Sequence, residues 1–395
     1  MRKIIFFLFL FLFGNIEILL DRNTPILLEE ENDKFKLDYN SSGFWNIDYN
    51  IHIDNNWSET IANYDWCSGS GTYADPYRIV NLILSSSKTS VIVENTAAHF
   101  MVINCSIFNS DIGVLLKNTV HSSVVLSNIY NNSQGIRALD CNYVLVEECN
   151  ITDNQTGIKF VNTADSNIGN NRFNDNNVAI DIKNGFGNVI LRNEFRNNAH
   201  SIFATNSSEN FISDNFLLNS DKAGISFSNG MSNYIFLNLL ENNENGVVLL
   251  YTSNNIIEQN NISKSVQNGI YLHESRDNNL HENIINNSKS SAILFKRSLA
   301  NEVYSNLILN NFYGISLIDA SNDNRFQDNL LDQNRLHYNI DSSSLFNFIN
   351  SDNQQDGDII SLILLFFGLF GLLTLIYISK KVFDYKNIKN IRGQR

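Results

Sequence analysis

The chain has 395 residues, a formal net charge of −13 and a pI near 5.0. An acidic balance of that size argues against nucleic acid as a partner, and 43% apolar content is that of an ordinary globular chain. Four cysteines (Cys67, Cys105, Cys141 and Cys149) are too few for a disulfide framework and follow no metal-ligand spacing.

The first segment, 1–20, opens Met1-Arg2-Lys3 and continues as an unbroken apolar run from Ile4 to Phe13. Positive charge before about ten apolar residues is the pattern of a secretory signal peptide. No Ala-x-Ala site follows, and Gly14 is the only small residue nearby, so an uncleaved anchor is the alternative. Residues 21–44 are polar and without periodicity. From Trp45, apolar side chains alternate through Ile47, Tyr49, Ile51 and Ile53, which predicts a strand. The stretch 45–78 reads as a cap or first coil, with turns at Gly69 and Gly71, and with Pro76 barred from a central ladder position. No helical pattern follows Gly69-Ser70-Gly71, so a phosphate loop is rejected.

Residues 79–345 are a repeat array. A five-residue phrase of the form Gly-Ile-x-Leu-x begins at Gly113, Gly135, Gly157, Ala179, Ser201, Gly224, Gly246, Gly269, Ala292 and Gly314, at intervals of 22 or 23 residues. Its second and fourth residues are mostly apolar and share one face of a strand. An Asn column stands 14 or 15 residues after each phrase: Asn128, Asn150, Asn171, Asn193, Asn215, Asn238, Asn260, Asn283, Asn306 and Asn329. A 22-residue unit has too little apolar surface to fold alone. It is too short for two packed helices, and its Val, Ile, Phe and Asn content disfavours helix. Stacked coils about 4.8 Å apart bury a continuous interior, which predicts an all-β parallel β-helix of about a dozen coils, roughly 55–60 Å long. Asn suits left-handed turns, and its amide can bond the next amide up the stack as a ladder. The Leu-x-x-Leu-x-Leu frame of leucine-rich repeats is absent. In such a stack Cys105 and Cys149 lie two coils apart and cannot bond, whereas a Cys67–Cys105 pairing stays open.

Residues 346–358 are polar and read as a linker. Residues 359–378 carry no charge, and twenty helical residues span about 30 Å, one hydrocarbon core. Lys380, Lys381, Lys386, Lys389, Arg392 and Arg395 make 379–395 a basic tail. By the positive-inside rule the tail is cytoplasmic and the β-helix outside, so the sequence predicts a single-pass protein of the cell membrane.

The phrase Gly-Ile-x-Leu, followed by Asn-x-Ile-x-x-Asn-x-Ile, resembles the repeats of NosD-like proteins, a group overlapping the carbohydrate-binding and sugar hydrolase (CASH) β-helix domains. The segment Cys67-Ser68-Gly69-Ser70-Gly71-Thr72 with Asp75-Pro76-Tyr77-Arg78-Ile79 looks like the stretch before such repeats in archaeal surface proteins. The resemblance covers about 45–345 and implies a right-handed helix. It also raises copper, since the family is described as periplasmic copper-binding. Copper favours Met, Cys and His. Met101 and Met231 are far apart and the seven histidines scattered, so no cofactor is assigned.

Candidate site residues come from the third and fifth residues of each phrase. Lys117, Arg137, Lys159 and Lys183 form a basic stripe that would suit an anionic glycan or a neighbouring surface protein. Asp181 is the one carboxylate in these columns and reads as an ion-paired surface residue. Tyr271 and His273 share a strand, with Phe203 three coils earlier, and are candidates for stacking on sugar rings. A glycosidase needs two carboxylates about 5–10 Å apart, and these columns do not supply them, so no catalytic residue is assigned. His99 and His121 fall in one column near a turn, with Tyr143 and Asp165, and are weak metal candidates. Asn56, Asn104, Asn131, Asn154, Asn206, Asn261 and Asn286 are candidate glycosylation sites; Asn150, also in a sequon, is expected to turn inward.

The leading expectation is a membrane-anchored extracellular β-helix that binds a glycan or another envelope protein, or serves as envelope structure. A polysaccharide-active hydrolase or lyase and a NosD-like metal-handling protein are the alternatives.

Overall fold

The computed structural model describes residues 45–350, a parallel β-solenoid of about a dozen coils. Each regular coil contributes one short strand to each of three long sheets. Sheet 1 has 13 strands, from Trp45–Ile47 to Leu330–Asp332, and sheet 2 has 14, from Cys67–Ser68 to Phe348–Ile349. Sheet 3 has 13, from Ile51–Asp54 to Leu336–Ile340, and carries the Gly-Ile-x-Leu phrase. One coil runs Asn167–Gly169 in sheet 2, Arg172–Asn174 in sheet 1 and Val178–Lys183 in sheet 3. Strands pair in parallel with their counterparts one coil away; Cys67–Ser68 is antiparallel to Tyr77–Val80.

The corners explain much of the Asn and Asp content. In that coil Asn170, Asp175 and Asn184 have φ of 55°, 57° and 53°. These are left-handed values, which Asn and Asp tolerate better than most residues. The phrase glycine has a different cause: a Cβ on Gly135 would lie 2.6 Å from the Gly157 carbonyl oxygen one coil up. Inward residues of the phrase, such as Ile158 and Phe160, are fully buried, and Phe173 and Phe195 stack inside at 4.8 Å.

Beside a corner, buried side-chain amides form a ladder. From Asn171 through Asn193, Asn215, Asn238, Asn260, Asn283 and Asn306 to Asn329, each Nδ2 donates to the next Oδ1 at 2.9–3.0 Å. Asn128 and Asn150 depart from the expected column. Both are exposed and begin the strands Asn128–Tyr130 and Asn150–Thr152. Their ladder place is held by Ser127 and Cys149, with Cys105 below. The reason is the pleat: a 15-residue spacing from Gly113 or Gly135 lands one residue late, on the opposite face. From Gly314 the same spacing reaches the ladder, because Ala320 is an added residue in that corner. Two further amide ladders run from Asn132 to Asn198 and from Asn188 to Asn347. All four cysteines are buried free thiols, which leaves Cys67 and Cys105 unbridged.

In 45–78, a short helix, Trp57–Asn63, covers the first coil. Trp57 is buried, stacks on Tyr77 at 4.5 Å, and donates its indole N–H to Thr96 Oγ1 at 3.2 Å. At the other end the stack runs to Phe348–Ile349, past the expected boundary at 345. Residues 1–20, 21–44, 359–378 and 379–395 lie outside the described residues. Among the described residues no helix is long and apolar enough to cross a membrane.

Candidate functional site

Sheet 3 brings some of the predicted residues together and separates others. Arg137 and Lys159 are register partners, but Lys117 and Lys183 stand in the other outward column with Leu139 and Val161 between them. Two of the four cations of the basic stripe are paired. Lys117 Nζ donates to Glu94 Oε2 at 3.0 Å, and Lys159 Nζ lies 3.1 Å from Asp181 Oδ2. Lys117, and then His52, hold the Glu94 carboxyl below its usual range.

Phe203 packs 5.4 Å from His200, and Ser226 and Val248 separate it in its column from Tyr271. Three coils at about 4.8 Å keep it roughly 14 Å away. Tyr271 and His273 lie 6.2 Å apart on their shared strand, with Tyr251 edge-on to His273 at 5.5 Å. Burial, followed by Asp319, raises the Tyr271 phenol.

At the corner between sheets 3 and 2, His99 and His121 stack at 4.3 Å with 10° between planes, and Tyr143 stacks on His121 at 5.1 Å. Imidazole lone pairs lie in the ring plane, so parallel stacked rings aim theirs side by side instead of at one ion. Burial, then the neighbouring His121, lowers the His99 pKa. No group of three or more His, Cys, Asp and Glu side chains suited to a metal occurs among the described residues.

The sequons also sort by placement. Asn56, Asn131 and Asn206 are exposed; Asn104, Asn261 and Asn286 are half-buried. Asn154 is corrected: it is 2% exposed, and its Nδ2 donates to the Ile129 and Thr152 carbonyls and to Asn176 Oδ1. That nitrogen is committed to a ladder. Asn150, expected inside, faces solvent.

A further polar arrangement lies on the outer face of sheet 2. Glu258, His281 and Tyr304 occupy one outward column on successive coils. The Tyr234 hydroxyl donates to Glu258 Oε1, and His281 Nε2 lies 3.1 Å from Glu258 Oε2. The His281 ring stacks on Tyr304 at 4.8 Å with 5° between planes, and Asn279 Nδ2 donates to the Tyr304 hydroxyl at 3.3 Å. Phe236 and Phe211 flank Tyr234 at 4.7 and 6.0 Å. The Glu258 and His281 side chains are only 19% and 13% exposed. A carboxylate can only accept, so Nε2 is the nitrogen that carries the hydrogen between them. Nδ1 is buried and has no partner. Burial, followed by the bond to Glu258, raises the Tyr234 phenol strongly, which keeps it a donor.

The repeat phrase marks only the outward columns of its own strand, so it does not point to this row on sheet 2. The 23-residue steps from Glu258 to His281 to Tyr304 were present to be found. Chemically, the row offers a fixed carboxylate, an imidazole and two phenols among aromatic faces. That set suits a ligand with both hydroxyls and C–H faces. Across the face it spans four coils, roughly 14 Å.

Two families match the sequence. One, described as periplasmic copper-binding protein (NosD), matches residues 180–362; the other, described as right handed beta helix region, matches residues 39–217. No match is found among curated proteins. Among solved structures, a periplasmic alginate epimerase double mutant aligns over 78% of this chain and 83% of its own, at 16% identity and a TM-score of 0.55. The catalytic domain of a GH87 α-1,3-glucanase in complex with tetrasaccharides aligns over 80% and 69%, at 12% and 0.54. Tailspike protein 3 of bacteriophage CBA120 aligns over 80% and 55%, at 11% and 0.59. At these identities the likeness is one of fold.

The copper in the family description does not fit the donors here. Burial pushes Cys67 up to about 11, and Cys105 and Cys149 up to about 12, so they are thiols and not the thiolates a metal needs. Met101 and Met231 are separated by about six coils, on the order of 29 Å. The repeats, the three-sheet stack and the two family matches, each over a little under half of the chain, together show a right-handed parallel β-helix whose repeats resemble those of NosD and of right-handed beta-helix proteins.

Proposed function

We propose that this β-helix is held at the outer surface of a membrane by residues 359–378 and binds a glycan on sheet 2. The observation that carries the reading is the Tyr234–Glu258–His281–Tyr304 row. The stack does not need it: outward positions in the same column elsewhere are Gly169, Leu191 and Ser213. Burying most of a carboxylate and an imidazole on an outer face costs free energy, and the 3.1 Å contact between them offsets only part of it, since His281 Nδ1 has no partner. Pyranose rings present C–H faces to aromatic rings and hydroxyl pairs to carboxylates. The basic stripe of sheet 3 is a poorer candidate because its four cations are split between two columns, with Leu139 and Val161 between Lys117 and Lys183.

A second reading is catalysis on the bound polysaccharide. Glu258 holds the His281 imidazole through Nε2, so a base role falls to Nδ1, which a substrate would have to uncover. The solved structures of similar fold include an epimerase of alginate and a glucanase. Hydrolysis with paired carboxylates is not favoured, since the row contributes one carboxylate.

The test is a glycan array with the full chain in detergent, beside Tyr234→Ala, His281→Ala and Lys117→Ala. Binding should fall at least tenfold in the first two variants and stay unchanged in the third. No glycan binding above background, or equal binding by all variants, would sink the proposal. New reducing ends or unsaturated products on incubation would favour the catalytic reading.

A further inference from the structure

The two ends of the stack are built differently. The first coil is closed by the helix Trp57–Asn63. At the last coil, Ile340 and Ile349 occupy inward positions, in register with Leu317 and Phe326 one coil below. Leu317 and Phe326 are fully buried, whereas Ile340 and Ile349 are 41% and 38% exposed. Around them the rim is apolar. Leu336 and Leu345 are each 51% exposed, Phe348 57% and Phe346 81%. A repeat stack ordinarily ends in a unit with a polar outer face, and an uncapped apolar end marks a contact surface.

The sequence beyond this end points to the occupant. Residues 351–358 (Ser351, Asp352, Asn353, Gln354, Gln355, Asp356, Gly357, Asp358) have no apolar side chain with which to cover it. The twenty uncharged residues 359–378 follow at once. Nine residues, 350–358, reach about 30 Å when fully extended. A chain tethered through 359–378 therefore holds its open end within that distance of lipid.

We infer that the open C-terminal end of the solenoid is a lipid-contacting face, with Phe346, Phe348 and Leu345 seated at the boundary between headgroups and acyl chains. The inference rests on the membrane tether proposed above. The strands at this end, Leu336–Ile340 and Phe348–Ile349, are sheet edges. Unpaired edge amides cannot enter hydrocarbon without a large cost, so the contact stops at the headgroup level, where water and ester oxygens serve them. The β-helix then stands on the membrane by its last coil and presents its sheets sideways.

The natural tryptophans make this testable. Trp45, Trp57 and Trp66 all belong to the opposite end. The full-length Phe346→Trp variant, reconstituted into phosphatidylcholine vesicles with brominated acyl chains, adds one emitter at the open end. The expected result is a blue-shifted additional emission quenched at least twofold by brominated lipid, with the emission of the wild-type chain unquenched. Co-flotation with vesicles without quenching overturns the lipid-facing end and leaves the tether standing. Failure to float overturns both. Unquenched emission with cross-linking between chains through position 346 assigns the end to a second copy and also overturns the inference. Phe348→Trp serves as the second probe if Phe346→Trp does not fold.

Discussion

Replacing Asn193 by alanine should open the stack locally and by a large factor. Asn193 is 2% exposed. Its Nδ2 shares two hydrogens among Asn215 Oδ1 at 3.0 Å and the Ile168 and Leu191 carbonyls at 2.8 and 3.0 Å. Its Oδ1 accepts from the Asn171 backbone N–H at 2.9 Å and from Asn171 Nδ2 at 3.0 Å. Alanine removes every one of these bonds and leaves at least the buried Asn171 N–H without its acceptor. A net hydrogen bond is worth about 1 kcal/mol and an orphaned buried group costs about 1–3 kcal/mol, so the change should cost about 3–5 kcal/mol. Coils contact only their neighbours, so the loss stays near its origin. At about 1.4 kcal/mol per tenfold, amide exchange around Asn171 should accelerate between a hundredfold and a few thousandfold. Hydrogen exchange read by mass spectrometry on peptides spanning 165–195 measures this directly. Asn128→Ala is the control, since Asn128 is exposed and outside the ladder; it should change stability by less than about 0.5 kcal/mol. Equal effects of the two substitutions, or a cost below about 1 kcal/mol for Asn193→Ala, would refute the ladder's energetic role.

Burial pushes the thiols of Cys105 and Cys149 up to about 12, so the native chain should resist iodoacetamide at pH 8 and label only on unfolding; intact mass reports the outcome. Asp341 is held at about 2, against an ordinary 3.8, first by the Asp319 backbone N–H and then by the Ser343 and Ser344 hydroxyls and the Ser343 N–H. A depressed carboxyl contributes stability that is present above about pH 4 and lost as pH falls toward 2. Exchange at the Asp319 and Ser343 amides, corrected for intrinsic rates, should therefore rise over that window, and Asp341→Asn should remove the dependence. Expressed through a eukaryotic secretory pathway, the chain should carry no glycan at Asn154, while the exposed sequon at Asn131 remains available; peptide mapping that finds a glycan on Asn154 would contradict its place in the ladder.

Much of the fold could be read from the phrase, because the second and fourth residues of Gly157-Ile158-Lys159-Phe160-Val161 must share a face. The inward Asn column was legible only to within one residue. Asn170 turns a corner and Asn171 bonds the stack, and the same residue type serves both needs. In the coils of Asn128 and Asn150 that ambiguity selected the wrong neighbour, and the ladder continued through Ser127 and Cys149. The two other ladders were hidden by the same abundance of Asn. The helix Trp57–Asn63 left little trace, being seven residues long with no capping bond from the Asn56 side chain to its first backbone N–H groups. The sheet 2 row was missed for a simpler reason. A three-sided coil has three sets of outward columns, and Tyr234, Glu258, His281 and Tyr304 lie on a side that the phrase does not mark. On the phrase side, the pairing of Lys117 with Glu94 and of Lys159 with Asp181 was written in intervals of 23 and 22 residues.

The face of the solenoid that meets a glycan decides between sheet 2 and the phrase sheet. Amide exchange of the full chain, with and without a saturating oligosaccharide drawn from the glycan array, answers this most directly. Protection confined to 234–236, 256–258, 279–281 and 302–304 is the predicted footprint, absent in His281→Ala. Protection along the phrase strands from Lys117 to Lys183, with the sheet 2 strands unchanged, would contradict it.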